Sequence, residues 1–166
     1  MSKLNWIGDD DIKKTVQFLL NRAEEANSVA KKNFGKNVID PFSALFTMSG
    51  FDLDFQTWLN AEVTRQSQKT LQNHIGKFHQ DILGSVCDFE DLGTGNIVDL
   101  VSDKNKIIAE VKNKYNTISG GKLSDLYKSL ERLVMPKSSK YKGFTAYYVA
   151  IIPKNKNRYD KPFTPS

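Results

Sequence analysis

The sequence predicts an α/β domain in which a mixed sheet is flanked by helices and preceded by a helical extension. Three observations carry that prediction. Apolar residues recur at helical spacing as far as Gly84, short β-branched runs follow, and one more amphipathic helix separates these from a last apolar strand. The expected order of the core is helix, three-strand meander, helix, strand. A chain of 166 residues reads as one domain, with a helical extension over 1–50, a core over 51–153 and a basic tail over 154–166.

Asp9-Asp10-Asp11 ahead of Ile12, Val16, Leu19, Leu20 and Ala23 reads as the start of an amphipathic helix, because carboxylates there meet unpaired N–H groups and the positive end of the helix dipole. That helix should run to about Phe34 and stop at Gly35. Asp40-Pro41 opens a short helix through Met48, closed by Ser49-Gly50. Phe55, Trp58, Leu59, Val63, Leu71, Ile75, Phe78, Ile82 and Leu83 keep helical spacing from Asp54 to Gly84, with Gly76 leaving open a bend or a break. Past Gly84, Ser85–Phe89 is a candidate first strand, and Leu92-Gly93-Thr94-Gly95-Asn96 has turn chemistry. Ile97–Val101 and Ile107–Lys112 flank Asp103-Lys104-Asn105-Lys106 as a hairpin. Gly120-Gly121 precedes a helix carrying Leu123, Leu126, Tyr127, Leu130, Leu133 and Val134, ended by Pro136. Phe144–Ile152 is the last strand.

Composition excludes several classes. With 39% hydrophobic and 26% charged residues the chain is neither disordered, fibrous nor a coiled coil. No apolar run reaches the roughly 20 residues of a membrane helix, and Met1 to Ile7 has no secretory pattern. Cys87 stands alone, which excludes a disulfide framework and a Cys-rich zinc site and fits a reducing cytoplasm. Residues 1–83 balance ten Lys/Arg against ten Asp/Glu, whereas residues 104–166 hold fourteen basic and four acidic residues. That asymmetry points the C-terminal part toward a polyanion; a solvated Lys-rich surface is the plain alternative.

The hairpin carries the chemical signal. Asp99 lies on one strand, Glu110 and Lys112 on the next, and strand alternation gives Glu110 and Lys112 a face that Ala109 and Val111 do not share. A two-residue loop at Lys104-Asn105 and a four-residue loop from Asp103 to Lys106 both pair residues whose numbers sum to 209. Either sets Asp99 opposite Glu110, with β-carbons about 5 Å apart. Two facing carboxylates among apolar neighbours repel and call for a cation; hard oxygen ligands suit Mg2+, completed by water and substrate phosphate. The acid-any-Lys triplet carries no weight alone, because Asp11-Ile12-Lys13 matches it equally well. Position separates the two: the first lies on a helix, where residues two apart do not share a face, and the second on a strand opposite another acid. An exposed edge hairpin with scattered charges is the plain alternative.

Ile97-Val98-Asp99-Leu100 followed by Ala109-Glu110-Val111-Lys112-Asn113-Lys114-Tyr115-Asn116-Thr117 resembles the PD-(D/E)xK nuclease core. With Asn73-His74-Ile75-Gly76-Lys77-Phe78-His79-Gln80, Ile82-Leu83-Gly84 and Tyr148 to Pro153, the chain from about residue 60 to 165 resembles a family of type II restriction endonucleases whose members cut GGWCC-type sites. Val98 stands where the superfamily name has Pro. The resemblance implies a restriction-endonuclease-like α/β core and Mg2+-dependent hydrolysis of duplex DNA at a short palindrome. Asp99, Glu110 and the Val111 carbonyl would ligate the metal, and Lys112 would position or activate the attacking water. It also implies a homodimer on a two-fold site, a cognate DNA methyltransferase as genetic partner, and family members that continue beyond Ser166.

Relatives often add a helical acid ahead of the first strand. Glu62, Asp81 and Gln80 are the candidates; Gln80 lies eighteen residues from Glu62, about 27 Å at helical rise, so both cannot serve one metal. Glu62, level with Asp99 if the long helix runs antiparallel to the first strand, is the choice, against a plain solvent-facing acid. His74 and His79 are five apart, off the same-face spacing, and read as packing or phosphate contacts rather than ligands. Phe144, Tyr147 and Tyr148 read as core. Lys137, Lys140, Lys142, Lys154, Lys156 and Arg158 either grip phosphates or serve solubility. Two rival functions remain at this stage: a DNA-binding module with an inactive core, and a non-specific repair or recombination nuclease.

Overall fold

The computed structural model describes residues 4–93 and 95–164. Thr94 of the expected turn and the last two residues of the basic tail therefore lie outside the described residues. The chain divides into two compact units, residues 16–75 and residues 1–15 with 76–166. Its elements are α1 Asp9–Lys32, a 3-10 turn Phe34–Lys36, α2 Pro41–Gly50, α3 Phe55–Gly84, β1 Glu90–Asp91, β2 Leu100–Ser102, β3 Ile107–Lys114, α4 Gly120–Val134 and β4 Thr145–Ile152.

α2 and α3 begin where an aspartate side chain satisfies one of the first N–H groups. Asp40 accepts from Phe42 N–H at 3.0 Å and Asp54 from Thr57 N–H at 2.7 Å. α3 continues through Gly76 without a break. In the helical unit, Ala26, Ala30, Trp58 and Val63 are buried, Phe34 meets Trp58 edge-on at 6.3 Å, and Asn37 Nδ2 donates to Gln66 Oε1 at 2.6 Å. α2 leaves Phe42 and Phe46 exposed.

The other unit holds a four-stranded sheet in the order β1-β2-β3-β4. β1/β2 and β2/β3 are antiparallel, and β3/β4 are parallel across the α4 crossover, so the sheet is mixed as expected. Alternation sorts its side chains: Val101 and Ile108 join Leu130, Tyr141 and Phe144 beneath α4, while Leu100, Ala109 and Val111 pack with Leu83 and Tyr147 on the other face. No described helix is long and apolar enough to cross a membrane.

The first strand is not Ser85–Phe89. Ser85 N–H still bonds the Asp81 carbonyl, Phe89 N–H turns back to Val86, and Asp88 takes a left-handed φ of 68°, so this segment is helix end and turn. β1 forms at Glu90–Asp91 instead, where Lys77 Nζ bonds Asp91 at 2.5 Å and Asp81 at 2.7 Å. β2 likewise starts at Leu100 rather than Ile97: Ile97 is exposed, and Val98 enters the core ahead of the ladder.

Two predictions follow from this junction. A Cβ built on Gly84 would stand 2.8 Å from Asp91 Cβ and 3.2 Å from its backbone N, so α3 can meet β1 only without a side chain there. Gly84→Ala is expected to destabilise by about 1–3 kcal/mol, against the usual helix gain of alanine, read as a lower midpoint in urea. Asp91 is pushed up by burial but held below the ordinary carboxylate range by Lys77 and Gly93 N–H. A depressed carboxylate stabilises the fold at neutral pH and loses that contribution as acid titrates it in the folded state. Lys77→Met should therefore cost on the order of 1 kcal/mol at pH 7 after solvent screening, with the difference from wild type shrinking below pH 4 in thermal melts.

Candidate active site

The hairpin loop is Asp103–Lys106, with Lys106 at φ 54°, and its pairs run Ser102↔Ile107, Val101↔Ile108 and Leu100↔Ala109. This is the register in which residue numbers sum to 209. One residue further, the ladder shifts. Asp99 N–H bonds the Ala109 carbonyl at 2.9 Å, one residue short of that register, and the Asp99 carbonyl accepts from Leu92 N–H at 2.8 Å. Asp99 therefore sits just outside β2, tied to both neighbouring segments. Its Oδ2 accepts the Val111 N–H at 2.7 Å, so the carboxylate reaches across the end of the hairpin to β3.

Glu110 and Lys112 share the α4 side of β3, and Lys112 Nζ bonds Glu110 Oε1. Their side chains are 14% and 27% exposed, enough for a substrate to reach and too little for water to screen them fully. Burial pushes the Glu110 carboxyl above the usual range; Lys112 opposes this, and the neighbouring Asp99 charge reinforces it. Two acids and one lysine leave the cluster short of positive charge, which is the condition a divalent cation relieves. The donors are hard oxygens, as Mg2+ or Mn2+ prefers. Among the described residues no group of three His, Cys, Asp or Glu side chains gathers to hold a metal.

Two of the helical candidates have ion-pair partners of their own. Glu62 lies in the 16–75 unit, where Arg65 Nε and Nη2 each reach it at 2.6 Å and Gln66 at 3.0 Å; the Arg65 hydrogen bond holds its carboxyl below the usual range. Asp81 pairs with Lys77, and Gln80 is half-buried on α3. His74 packs edge-on against Phe18 at 6.4 Å, and burial pushes the His79 imidazole below its ordinary range. Lys137, Lys140, Lys142, Lys154, Lys156 and Arg158 are all exposed.

Sequence reasoning missed the residue beside Glu110. In the parallel pairing Glu110 aligns with Tyr148, whose ring stacks on Phe163 at 5.4 Å while Phe163 meets Tyr127 at 5.8 Å. Burial, then Tyr159 and Glu110, push the Tyr148 phenol up and keep it protonated. Tyr148 was legible as core; its place beside Glu110 depends on the β3/β4 register, which no local signal encodes.

A mixed sheet flanked by helices, with two carboxylates and a lysine at the open end of its hairpin, is a restriction-endonuclease-like core. The comparisons agree: the family model for Eco47II restriction endonuclease matches residues 4–166. The chain is 52% identical to the type II restriction enzyme Eco47II of Escherichia coli over 166 residues, all of this chain and 69% of that enzyme. It is 36% identical to the type II restriction enzyme Sau96I of Staphylococcus aureus over 150 residues, 90% of this chain and 56% of that enzyme. The chain belongs to the Eco47II restriction endonuclease family, a family of type II, site-specific deoxyribonucleases. Enzymes of this class generally use a divalent metal. No solved structure matches.

Proposed function

We propose that this chain carries the catalytic core of a Mg2+-dependent endonuclease that cuts double-stranded DNA at a short palindrome of the GGWCC type. The observation that carries the reading is the convergence of Asp99 and Glu110 beside Lys112. Asp99, Glu110 and the Val111 carbonyl would hold the metal. When bound, the cation neutralises charge growing on the phosphodiester and acidifies water beside it. Lys112, two residues from Glu110 on the same face, turns its ammonium to the scissile phosphate and orients the attacking water. Asp99 fixes the hairpin end through Val111 N–H, so the second carboxylate does not drift. Glu62 stays with Arg65 as a structural acid.

The exposed lysines flanking β4 supply phosphate contacts, which position the duplex without reading it. A palindrome asks for two-fold symmetry, and so for a homodimer. The enzyme acts in the cytoplasm with a cognate DNA methyltransferase that protects the host's sites.

The test is digestion of DNA of known sequence containing both GGWCC and GGSCC sites, with Mg2+ and with EDTA. Discrete fragments at GGWCC alone, only with Mg2+, are expected. Cutting at both would leave the central pair unread. A smear would indicate a non-specific nuclease, and retarded but intact DNA in both lanes a binder.

A further inference from the structure

One buried group next to the carboxylate cluster has no task in the mechanism above. The Tyr148 hydroxyl is inaccessible to water and has no hydrogen-bond partner among the described residues. A buried hydroxyl left unpaired is costly, so an acceptor brought within its reach would be stabilised there. Register decides which acceptor. Tyr148 is the β4 partner of Glu110, and paired residues on adjacent strands project to the same face. Phe163 stacks on the Tyr148 ring and Tyr127 closes on Phe163, so the phenol is held in place rather than free to swing to solvent.

Glu110 supplies the complementary need. In the structure its Oε1 is taken by the Lys112 ammonium. Once Lys112 turns to the phosphate, a half-buried carboxylate loses its one cationic partner and must reorient toward the metal. We infer that Tyr148 is a positioning residue for Glu110: its hydroxyl donates to the carboxylate when Lys112 leaves, fixing which oxygen faces the cation. This rests on the proposed assignment of Glu110 as a metal ligand. Hydrogen bonds from behind a ligating carboxylate typically change metal affinity about 10- to 100-fold.

The experiment titrates Mn2+ into the full chain, reading free Mn2+ by its paramagnetic resonance signal, for wild type, Tyr148→Phe and Glu110→Ala, with thermal melts in EDTA beside each. Tyr148→Phe removes only an oxygen that is unpaired without metal, so its melting temperature should hold or rise. Its Mn2+ affinity should fall about tenfold or more, with the Mg2+ concentration for half-maximal cleavage rising in step. A structural tyrosine would show the opposite, a lower melting temperature and unchanged metal affinity, and that result overturns the inference, as does Mn2+ affinity within twofold of wild type. Glu110→Ala separates the two levels. If it binds Mn2+ as wild type does, the ligand assignment itself is wrong and the inference falls with it; if it loses Mn2+ while Tyr148→Phe does not, only the role of Tyr148 is refuted.

Discussion

Glu110→Ala is expected to abolish cleavage while leaving duplex binding intact or tighter. The two effects have separate physical origins. Cleavage needs negative charge concentrated beside the phosphate to hold a cation there, and Glu110 is a part-buried contributor whose proton affinity is raised by burial and by Asp99. Losing a ligand that supports several kcal/mol of transition-state stabilisation, at tenfold per 1.36 kcal/mol, predicts a fall of about 1000-fold or more in the single-turnover rate. In the proposed function binding rests instead on the exposed lysines, and removing one acid from a surface that approaches phosphates lessens repulsion. The measurement pairs single-turnover cleavage in Mg2+ with a gel-shift titration in EDTA. Stability should change little, because the alanine variant removes a carboxylate whose burial was itself unfavourable. A variant that still cuts at the wild-type rate would move the chemistry away from β3.

What the sequence made legible was local. The cap at Asp40 announced α2 because the aspartate bonds a backbone N–H two residues away. The hairpin register could be worked out from its loop because turn length and pairing are coupled over four residues. The first strand was misplaced for the same reason in reverse. Ser85–Phe89 has apolar residues suited to a strand, but β1 is fixed from a distance, by Lys77 one helix earlier and by the close approach at Gly84. Two features of the site were equally non-local. The shift of the ladder at Asp99 depends on a bond to Leu92 across the glycine turn, and the neighbour of Glu110 depends on a parallel pairing closed only after α4. The candidate ligands could be read from the hairpin alone; the groups that neighbour them could not.

The proposed function gives Asp99 two jobs that ordinary mutagenesis would confuse, and substitutions of different shape should separate them. Its Oδ2 satisfies the Val111 N–H at 2.7 Å, which fastens the hairpin end, and its charge completes the acidic pair with Glu110. Asp99→Asn keeps an oxygen able to accept from Val111 but removes the charge. It should melt within about a degree of wild type, yet cut about 1000-fold more slowly and bind Mn2+ weakly. Asp99→Ala removes both. Leaving a part-buried donor unpaired costs about 1–3 kcal/mol, so this variant should also melt several degrees lower, at about 2–4 °C per kcal/mol for a chain of this size. Rates would then be nearly equal in the two variants while stabilities differ. If Asp99→Asn cuts as fast as wild type, the charge at 99 has no part in catalysis and only the hydrogen bond to Val111 matters. If both variants melt like wild type, the hydrogen bond is dispensable to the fold, and Asp99 is retained for its charge alone.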